Sequence, residues 1–170
     1  MSEHWIWGID LSTTYMDIAV VDQAGAFQCN ACITPPHKTL PERLSVQRQA
    51  VREFSASMAF HFPPLAVYVE LPTGHFPNPP LMMSCGAVLA GLHEGLAGTP
   101  FPVGIHHIPV KSWKKSATGF GTATKAQVLE WAQGLGYAGS RQDGADALGV
   151  AHFGCWETQR ALPSRPYSPA

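Results

Sequence analysis

Four acidic residues stand out by position, because each lies where a carboxylate would need a partner. They are Asp10, Glu70, Asp143 and Asp146. Asp10 ends an apolar run that begins at Trp5, and Glu70 ends a β-branched run that begins at Leu65. Removing a carboxylate from water is costly unless a cation or a hydrogen-bond donor pairs with it. We therefore predict that these acids share a metal ion although they lie far apart along the chain.

The chemistry of these carboxylates indicates which metal and which reaction. Oxygen ligands suit Mg²⁺ or Mn²⁺ better than zinc. Two such ions, held about 4 Å apart by carboxylates, are a general device for phosphodiester hydrolysis, in which one ion activates water and the other stabilises the leaving 3′-oxygen. A helix N-terminus also tolerates acids without a metal, which is the simpler explanation of Asp143 and Asp146. The helix explanation does not apply to Asp10 and Glu70, because each of them ends a predicted strand. We therefore predict a two-metal nuclease site.

A basic stretch forms the second group of candidate functional residues. Between His106 and Lys125 there are four lysines, two histidines and no acid. The lysines flank a glycine-rich turn at residues 119–121, which together indicate a phosphate-binding surface. A solvated loop is the alternative. The turn does not match the nucleotide-binding pattern GxxxxGK[ST], so an ATP site is not expected.

Composition sets the class of protein. With 170 residues, 45% of them hydrophobic and 14% charged, the chain predicts one folded globular domain. A net charge of −1 gives no global attraction for nucleic acid, so any such binding must come from local charge. No apolar run approaches the roughly 20 residues that span a bilayer, and the N-terminus lacks a secretory signal pattern. We expect a cytoplasmic protein without membrane contact.

The cysteines have a simple interpretation with one alternative. In a cytoplasmic chain the four are expected to be reduced. Cys29 and Cys32 have metal-ligand spacing, but no second CxxC completes a tetrahedral site. A β-strand over this segment is the favoured interpretation, and zinc or redox chemistry is the alternative.

Hydrophobic periodicity predicts the elements that position these groups. Strands are predicted at 5–10, 16–22, 26–33, 65–69 and 103–109. Four helices are predicted, beginning near Pro41, Leu81, Lys125 and Arg141. The order βββαβαβαα indicates a mixed α/β domain in which an antiparallel hairpin leads into a sheet flanked by helices. We assign this domain to residues 1–158 and a Pro/Ser-rich tail to residues 159–170.

The helix predicted at 81–96 is apolar nearly all round and rich in small residues. Small residues let another helix approach closely. Packing within the subunit and packing between two subunits explain the pattern equally well.

Taken in order, the motifs resemble those of the RuvC-type Holliday-junction resolvases, which have the RNase H-like nuclease fold. The resemblance rests on Gly8-Ile-Asp10, on Val-Glu70, on the Thr-Gly-Phe-Gly turn between Lys114 and Lys125, and on Gln-Asp143-Gly-Ala-Asp146-Ala-Leu. It extends over nearly the whole chain, from about residue 5 to 156. It implies parallel strands after the antiparallel first hairpin.

The resemblance also implies an activity and its residues. The family is a homodimeric, Mg²⁺-dependent endonuclease that nicks two opposed strands of a four-way DNA junction. The four acids would be the metal ligands, Lys125 would contact the scissile region, and the dimer would form through helix 81–96. The expected DNA-contacting residues are Lys111, Lys114, Lys115, Lys125, Phe76 and His75. Either Phe76 or His75 would stack on the bases at the crossover.

The chain departs from the family pattern in its first turn. This turn lacks the glycines that the family uses there, and Asp17 stands where a glycine is expected. The role of Asp17 is left open. The chain is interpreted as a divergent member, encoded by a bacterium, a phage or a mobile element, that acts in the bacterial cytoplasm.

Three other functions are alternatives to junction resolution. An RNase H-like nuclease could act on other branched DNA or on RNA–DNA hybrids with the same metals. A non-catalytic junction-binding protein of this fold would not need all four acids. Sugar-kinase and actin-like ATPases share a similar first hairpin but need two such domains, and 170 residues supply one.

Overall fold

The computed structural model describes residues 4–12, 15–34, 39–71, 78–100 and 102–161. They contain five strands, which are β1 (Trp5–Leu11), β2 (Met16–Asp22), β3 (Phe27–Ile33), β4 (Pro64–Leu71) and β5 (Gly104–Pro109). These strands form one sheet in the order β3-β2-β1-β4-β5. The pairs β1–β2 and β2–β3 are antiparallel, whereas β1–β4 and β4–β5 are parallel. The predicted RNase H-like mixed sheet is confirmed.

Five helices cover the two faces of this sheet. They are α1 (Leu40–His61), α2 (Pro79–Leu96), α3 (Val110–Thr118), α4 (Lys125–Gly134) and α5 (Gln142–Ala161). Helices α1 and α2 cover one face, where Val51, Val88 and Leu92 pack with Trp7 and Ile9. The other face is covered by α3, α4 and α5. The sheet is therefore the middle layer of three.

The period of two along a strand decides which side chains reach which face. In β1, Trp7 and Ile9 face α1 and α2, whereas Ile6 packs in the core beneath α5. Asp10 has the parity of Ile6 and therefore points to the α5 side. The same rule places Glu70 of β4 and Asp17 of β2 on that side, because Tyr68 and Ala19 belong to the α5 core. Three acids of the sheet thus point to one helix.

Gly8 explains why α5 lies so close to the first strand. A Cβ atom at this position would overlap the backbone of Ala147 and Ala151 in α5. The absent side chain lets the helix backbone rest directly on β1. This contact brings the N-terminal turns of α5 beside Asp10, which lies two residues after Gly8.

The prediction of four helices is wrong by one. The lysine-rich segment after β5 forms α3 and is not an irregular loop. The missed signal is the spacing of Val110, Trp113 and Ala117, which pack together on the α5 core while the lysines lie between them. Gly119, at φ 82°, ends the helix in the left-handed conformation.

At the C-terminal end, α5 extends to Ala161, three residues beyond the predicted domain boundary. The rest of the predicted tail, residues 162–170, lies outside the described residues. Among the helices of the described chain, none combines the length and apolar character needed to cross a bilayer.

Candidate active site

The ends of β1 and β4 bring two acids side by side. Parallel pairing places Ile9 of β1 next to Val69 of β4. The following residues, Asp10 and Glu70, therefore lie side by side at the ends of the two strands. Both strands end one residue later. Asp10 is only 8% exposed. The predicted meeting of two strand-terminal carboxylates at one sheet edge is what the topology produces.

Helix α5 supplies two more acids to the same edge. Asp143 and Asp146 lie in its first two turns, three residues apart, and so project to one face. One carboxylate oxygen from each of Asp10, Asp143 and Asp146 lies within 4.8 Å of the other two. We refer to these three residues as the acidic triad.

Glu70 lies near the triad without belonging to it. Its Oε2 atom accepts a hydrogen bond of 2.7 Å from the indole Nε1 of Trp113, a fully buried residue of α3. Burial raises the pKa of Glu70 to about 7; the charge of Asp146 adds to the rise, and the Trp113 hydrogen bond opposes it. Glu70 is therefore electrostatically coupled to the triad from one side.

Burial and mutual repulsion make the acids hard to ionise together. Burial raises the pKa of Asp10 to about 8, and the charges of Glu70, Asp146, Asp143 and Asp17 contribute to that rise. Burial also raises the pKa of Asp146 to about 6, against the opposing charges of Lys114 and Lys125. Such a cluster is fully ionised at neutral pH only when positive charge is added.

The donor set fits a hard divalent cation. The buried Oδ1 atom of Asp146 has no hydrogen-bond partner among the described residues. Burying a carboxylate oxygen without a partner is costly unless a cation binds it, so this atom is a candidate metal ligand. Carboxylate oxygens without any sulfur or imidazole nitrogen suit Mg²⁺ or Mn²⁺.

Two lysines border the acids. Lys125 is the first residue of α4, and its Nζ lies 3.2 Å from Oδ1 of Asp143. The helix start is fixed by a capping box between Thr124 and Gln127. Lys114 of α3 donates from Nζ to the carbonyl of Ala123 at 3.3 Å, and its charge acts on both Glu70 and Asp146.

The other predicted DNA-contacting residues are more dispersed. Lys111 and Lys115 are exposed on α3. His75 and Phe76 lie outside the described residues, so their predicted stacking role stays a prediction. The basic segment is therefore adjacent to the acids through Lys114 and Lys125.

Arg141 and Asp17 are site residues that sequence reasoning did not assign. Asp17 is directly opposite Asp10 in the β1–β2 pairing and is fully buried. Its Oδ2 atom lies 3.0 Å from Nη2 of Arg141, which also lies 3.8 Å from Oδ2 of Asp143. The hairpin register could have identified Asp17 as a site residue. Asp17 follows Asp10 by seven residues across a short turn, which returns the chain to the position beside Asp10 on the neighbouring strand.

Among the described residues, Cys29 and Cys32 belong to no cluster of metal-binding side chains. Both residues lie in β3 and are free thiols, three residues apart. Residues three apart in a strand point to opposite faces. Cys29 accordingly packs against the core beneath α1 and α2, whereas Cys32 pairs with Asp17 on the α5 side. The favoured interpretation of a plain strand agrees with this placement.

Sheet order, helix placement and the acidic edge define an RNase H-like α/β domain. Among solved structures, this chain is similar to Thermus thermophilus RuvC, with 23% identity, 92% of this chain and 96% of that chain covered, and a TM-score of 0.69. The chain is also similar to T. thermophilus RuvC in complex with Holliday junction substrate, with 22% identity, 93% of this chain and 96% of that chain covered, and a TM-score of 0.70. The yeast mitochondrial Holliday junction resolvase Ydc2 is 15% identical, with 91% of this chain and 79% of that chain covered and a TM-score of 0.60. The chain therefore has the RuvC-type resolvase fold. No family model and no curated protein matches it.

Proposed function

We propose that this protein is a metal-dependent endonuclease that resolves four-way (Holliday) DNA junctions by phosphodiester hydrolysis. The observation that carries the proposal is the convergence of Asp10, Asp143 and Asp146 within 4.8 Å of one another. Their position in a RuvC-type fold, with Lys114 and Lys125 beside them, supports a nucleic-acid substrate.

The acids would hold the cofactor. Asp10, Asp143, Asp146 and Glu70 would bind Mg²⁺, or Mn²⁺ in its place, with two ions in each active site. Bound there, the ions would activate water and stabilise the charge that develops on the leaving oxygen. The buried sheet edge holds the carboxylates in place, and Trp113 keeps Glu70 oriented through its hydrogen bond.

The lysines would bind and orient the DNA. Lys125, held 3.2 Å from Asp143, would contact the phosphate to be cleaved. Lys114 would bind a backbone phosphate, together with the exposed Lys111 and Lys115 of α3. Phe76 or His75, which follow β4 in the sequence, would stack on bases at the crossover.

We propose a homodimer through α2. Its small residues divide into two sets, because Gly91 and Gly95 lie against the backbone of α1 whereas a Cβ at Gly86 would meet open space. Near Gly86, Met82 and Met83 are 47% and 50% exposed. Exposed methionines beside a glycine form an apolar surface suited to a second copy of α2. A two-fold dimer would present two active sites to the two opposed strands.

Two further parts of the proposal concern organisation and location. The nuclease domain, predicted to end at residue 158, would continue to the end of α5 at Ala161, with the remaining residues as a tail. The protein would act in the cytoplasm of a bacterium, as a host protein or one encoded by a phage or mobile element.

The decisive experiment is a cleavage assay on a mobile four-way junction and on a matched linear duplex, each with Mg²⁺ and with EDTA. Paired, symmetric nicks in the junction alone, dependent on the metal, are expected. Cutting of both DNAs would support a metal-dependent nuclease but refute its selectivity for junctions. Binding without cutting under any divalent ion would favour a non-catalytic junction-binding protein.

A matched pair of variants separates the site from the general surface charge. Asp10→Asn removes one triad carboxylate, whereas Glu130→Gln neutralises an exposed acid of α4. Loss of cleavage is expected in the first and full cleavage in the second. Equal activity in both would refute the role of the triad.

A further inference from the structure

Asp17 is a buried acid that the proposed metal site does not use. It stands across from Asp10 in the β1–β2 pairing and has no exposed surface. The cation that accompanies it is Arg141, which lies just before α5 with its Nη2 atom 3.0 Å from Oδ2 of Asp17. The two residues are separated by 124 positions in sequence.

Stability alone gives no reason for this pair. This pair contributes little net stability, because Asp17 loses its hydration completely while water around the half-exposed Arg141 weakens the attraction. An apolar residue or a glycine at position 17 would avoid the desolvation altogether. The pair therefore points to a role for the arginine that Asp17 makes possible.

The guanidinium of Arg141 is fixed from three sides. Asp17 holds Nη2, Oδ2 of Asp143 lies 3.8 Å from the same atom, and the guanidinium carbon lies 5.3 Å from the centre of the Tyr15 ring. Despite these contacts the side chain remains 49% exposed. A guanidinium carries five N–H donors, so a hydrogen bond through Nη2 occupies only a minority of them.

An arginine held in this way is prepared for an anion. Its planar fork matches the oxygens of a phosphate, and a side chain already ordered loses less entropy on binding. Arg141 also lies beside the proposed metal site, because its neighbour Asp143 belongs to the acidic triad. An anion bound by Arg141 would lie next to the proposed cleavage site.

We propose that Arg141 binds a phosphate of the nucleic-acid substrate beside the acidic triad, and that Asp17 is the positioning residue that holds it there. The inference rests on the proposed function for the identity of the anion. It explains the acid at position 17, whose role the sequence leaves open.

The test is a double-mutant cycle with two readouts. Wild type, Asp17→Asn, Arg141→Gln and the double variant are compared for thermal midpoint and for binding of a labelled four-way junction, with Ca²⁺ replacing Mg²⁺ so that cutting is suppressed. Arg160→Gln is the control, because Arg160 is exposed near the opposite end of α5. Steady-state cleavage in Mg²⁺ gives KM and kcat for the same set.

Arg141→Gln should lower both stability and affinity, since it leaves Asp17 buried without its cation. The double variant should regain the thermal midpoint but not the affinity, which should stay about tenfold below wild type, as expected for one charge-assisted contact. Its salt dependence should correspond to about one phosphate contact fewer. The loss should appear in KM more than in kcat.

Asp17→Asn should weaken binding only while Arg141 is present. In the Arg141→Gln background the same change should leave affinity unaltered, which is the signature of a residue acting through another. Arg141→Lys should recover part of the affinity, because it keeps the charge and loses the fork.

The outcomes separate this inference from the proposed function. A double variant that binds the junction as wild type does, with the same salt dependence, would overturn the inference and leave Arg141 as a counter-charge only. A wild-type protein that binds the junction without cutting it would remove the proposed nuclease and leave the test of Arg141 intact. A wild-type protein that binds no DNA would overturn both.

Discussion

The indole of Trp113 donates a 2.7 Å hydrogen bond to the carboxylate of Glu70, joining helix α3 to the end of strand β4. Trp113 is fully buried, and the ring lies against Gly149 of α5, where a Cβ would overlap it. One side chain thus connects the lysine-bearing helix, the sheet and the helix of Asp143 and Asp146. The contact orients Glu70 and favours its ionised form.

Trp113→Phe should weaken the site without removing any proposed ligand. The variant loses a hydrogen bond to a charged group, and we expect a loss of roughly 1.5–3 kcal/mol in the free energy of unfolding. Since that hydrogen bond lowers the pKa of Glu70, its removal should shift the acid limb of the cleavage rate to higher pH. A pH–rate profile measures this shift, with Trp156→Phe, an exposed position of α5, as the control. An unchanged profile would contradict the role of Trp113.

Asp10→Asn should abolish cleavage yet leave junction binding intact or stronger. The change removes a triad ligand, for which we expect a loss of more than about 100-fold in kcat. It also removes a negative charge that repels phosphate, so affinity should not fall. Gel-shift titration and single-turnover cleavage on the same preparation test both parts. Residual cleavage near the wild-type rate would rule out Asp10 as a ligand.

Stability should depend on pH in a way that a divalent cation reverses. The folded pKa values of about 8 for Asp10, 7 for Glu70 and 6 for Asp146 exceed the ordinary values near 4. The folded chain therefore retains protons that the unfolded chain has lost, and the free energy of unfolding should fall as pH rises from about 4 to 8. In EDTA, denaturant titrations at pH 5 and pH 8 should reveal this loss.

Addition of Mg²⁺ or Mn²⁺ at pH 8 should restore much of that stability, because the ion binds the folded state only. Asp10→Asn should flatten the pH dependence in EDTA, since it removes the largest of the three shifts. Glu130→Gln serves as the control that should not. A cation-insensitive pH profile would mean that the acids do not form a metal site.

The sheet and the meeting of the acids could be predicted from the strand and helix patterns together with the parallel strands that the family resemblance implied. Strand periodicity fixed the face on which Asp10 and Glu70 lie, and parallel pairing brought their strands to one edge. The spacing of Asp143 and Asp146 required only a helix. The closeness of α5 to β1 depends on Gly8, whose role becomes clear only once its neighbours are known.

Other parts of the site depend on contacts between distant residues and could not be predicted. The partner of Glu70 is 43 positions away, and the partner of Asp17 is 124 positions away. Helix α3 was missed because five of its nine residues are lysine or serine around one buried tryptophan, so composition indicated a solvated segment. Its helical spacing was present but short.

Lys125→Ala should slow cleavage more than it weakens binding. The Nζ atom lies 3.2 Å from Asp143, so its charge is directed at the proposed reacting phosphate and not at the DNA backbone in general. We expect a fall of about 100- to 1,000-fold in kcat, the range for removal of one transition-state contact. Lys115→Ala, which changes an exposed lysine of α3, should instead weaken binding in a salt-dependent way. A loss in Lys125→Ala that low salt corrects would make Lys125 an ordinary phosphate contact.

Met83→Glu should separate the proposed dimer and with it the pairing of the two nicks. A carboxylate at the centre of an apolar helix contact has no partner there, and its desolvation opposes association. Analytical ultracentrifugation should show a monomer for this variant and a dimer for wild type, and cleavage should fall to single, unpaired nicks. The control is Phe60→Glu, which places the same charge on an exposed apolar position of α1. Met83 lies on the α2 surface left free by α1, whereas Gly91 and Gly95 are already in contact with that helix. A dimer that survives Met83→Glu would move the interface away from α2.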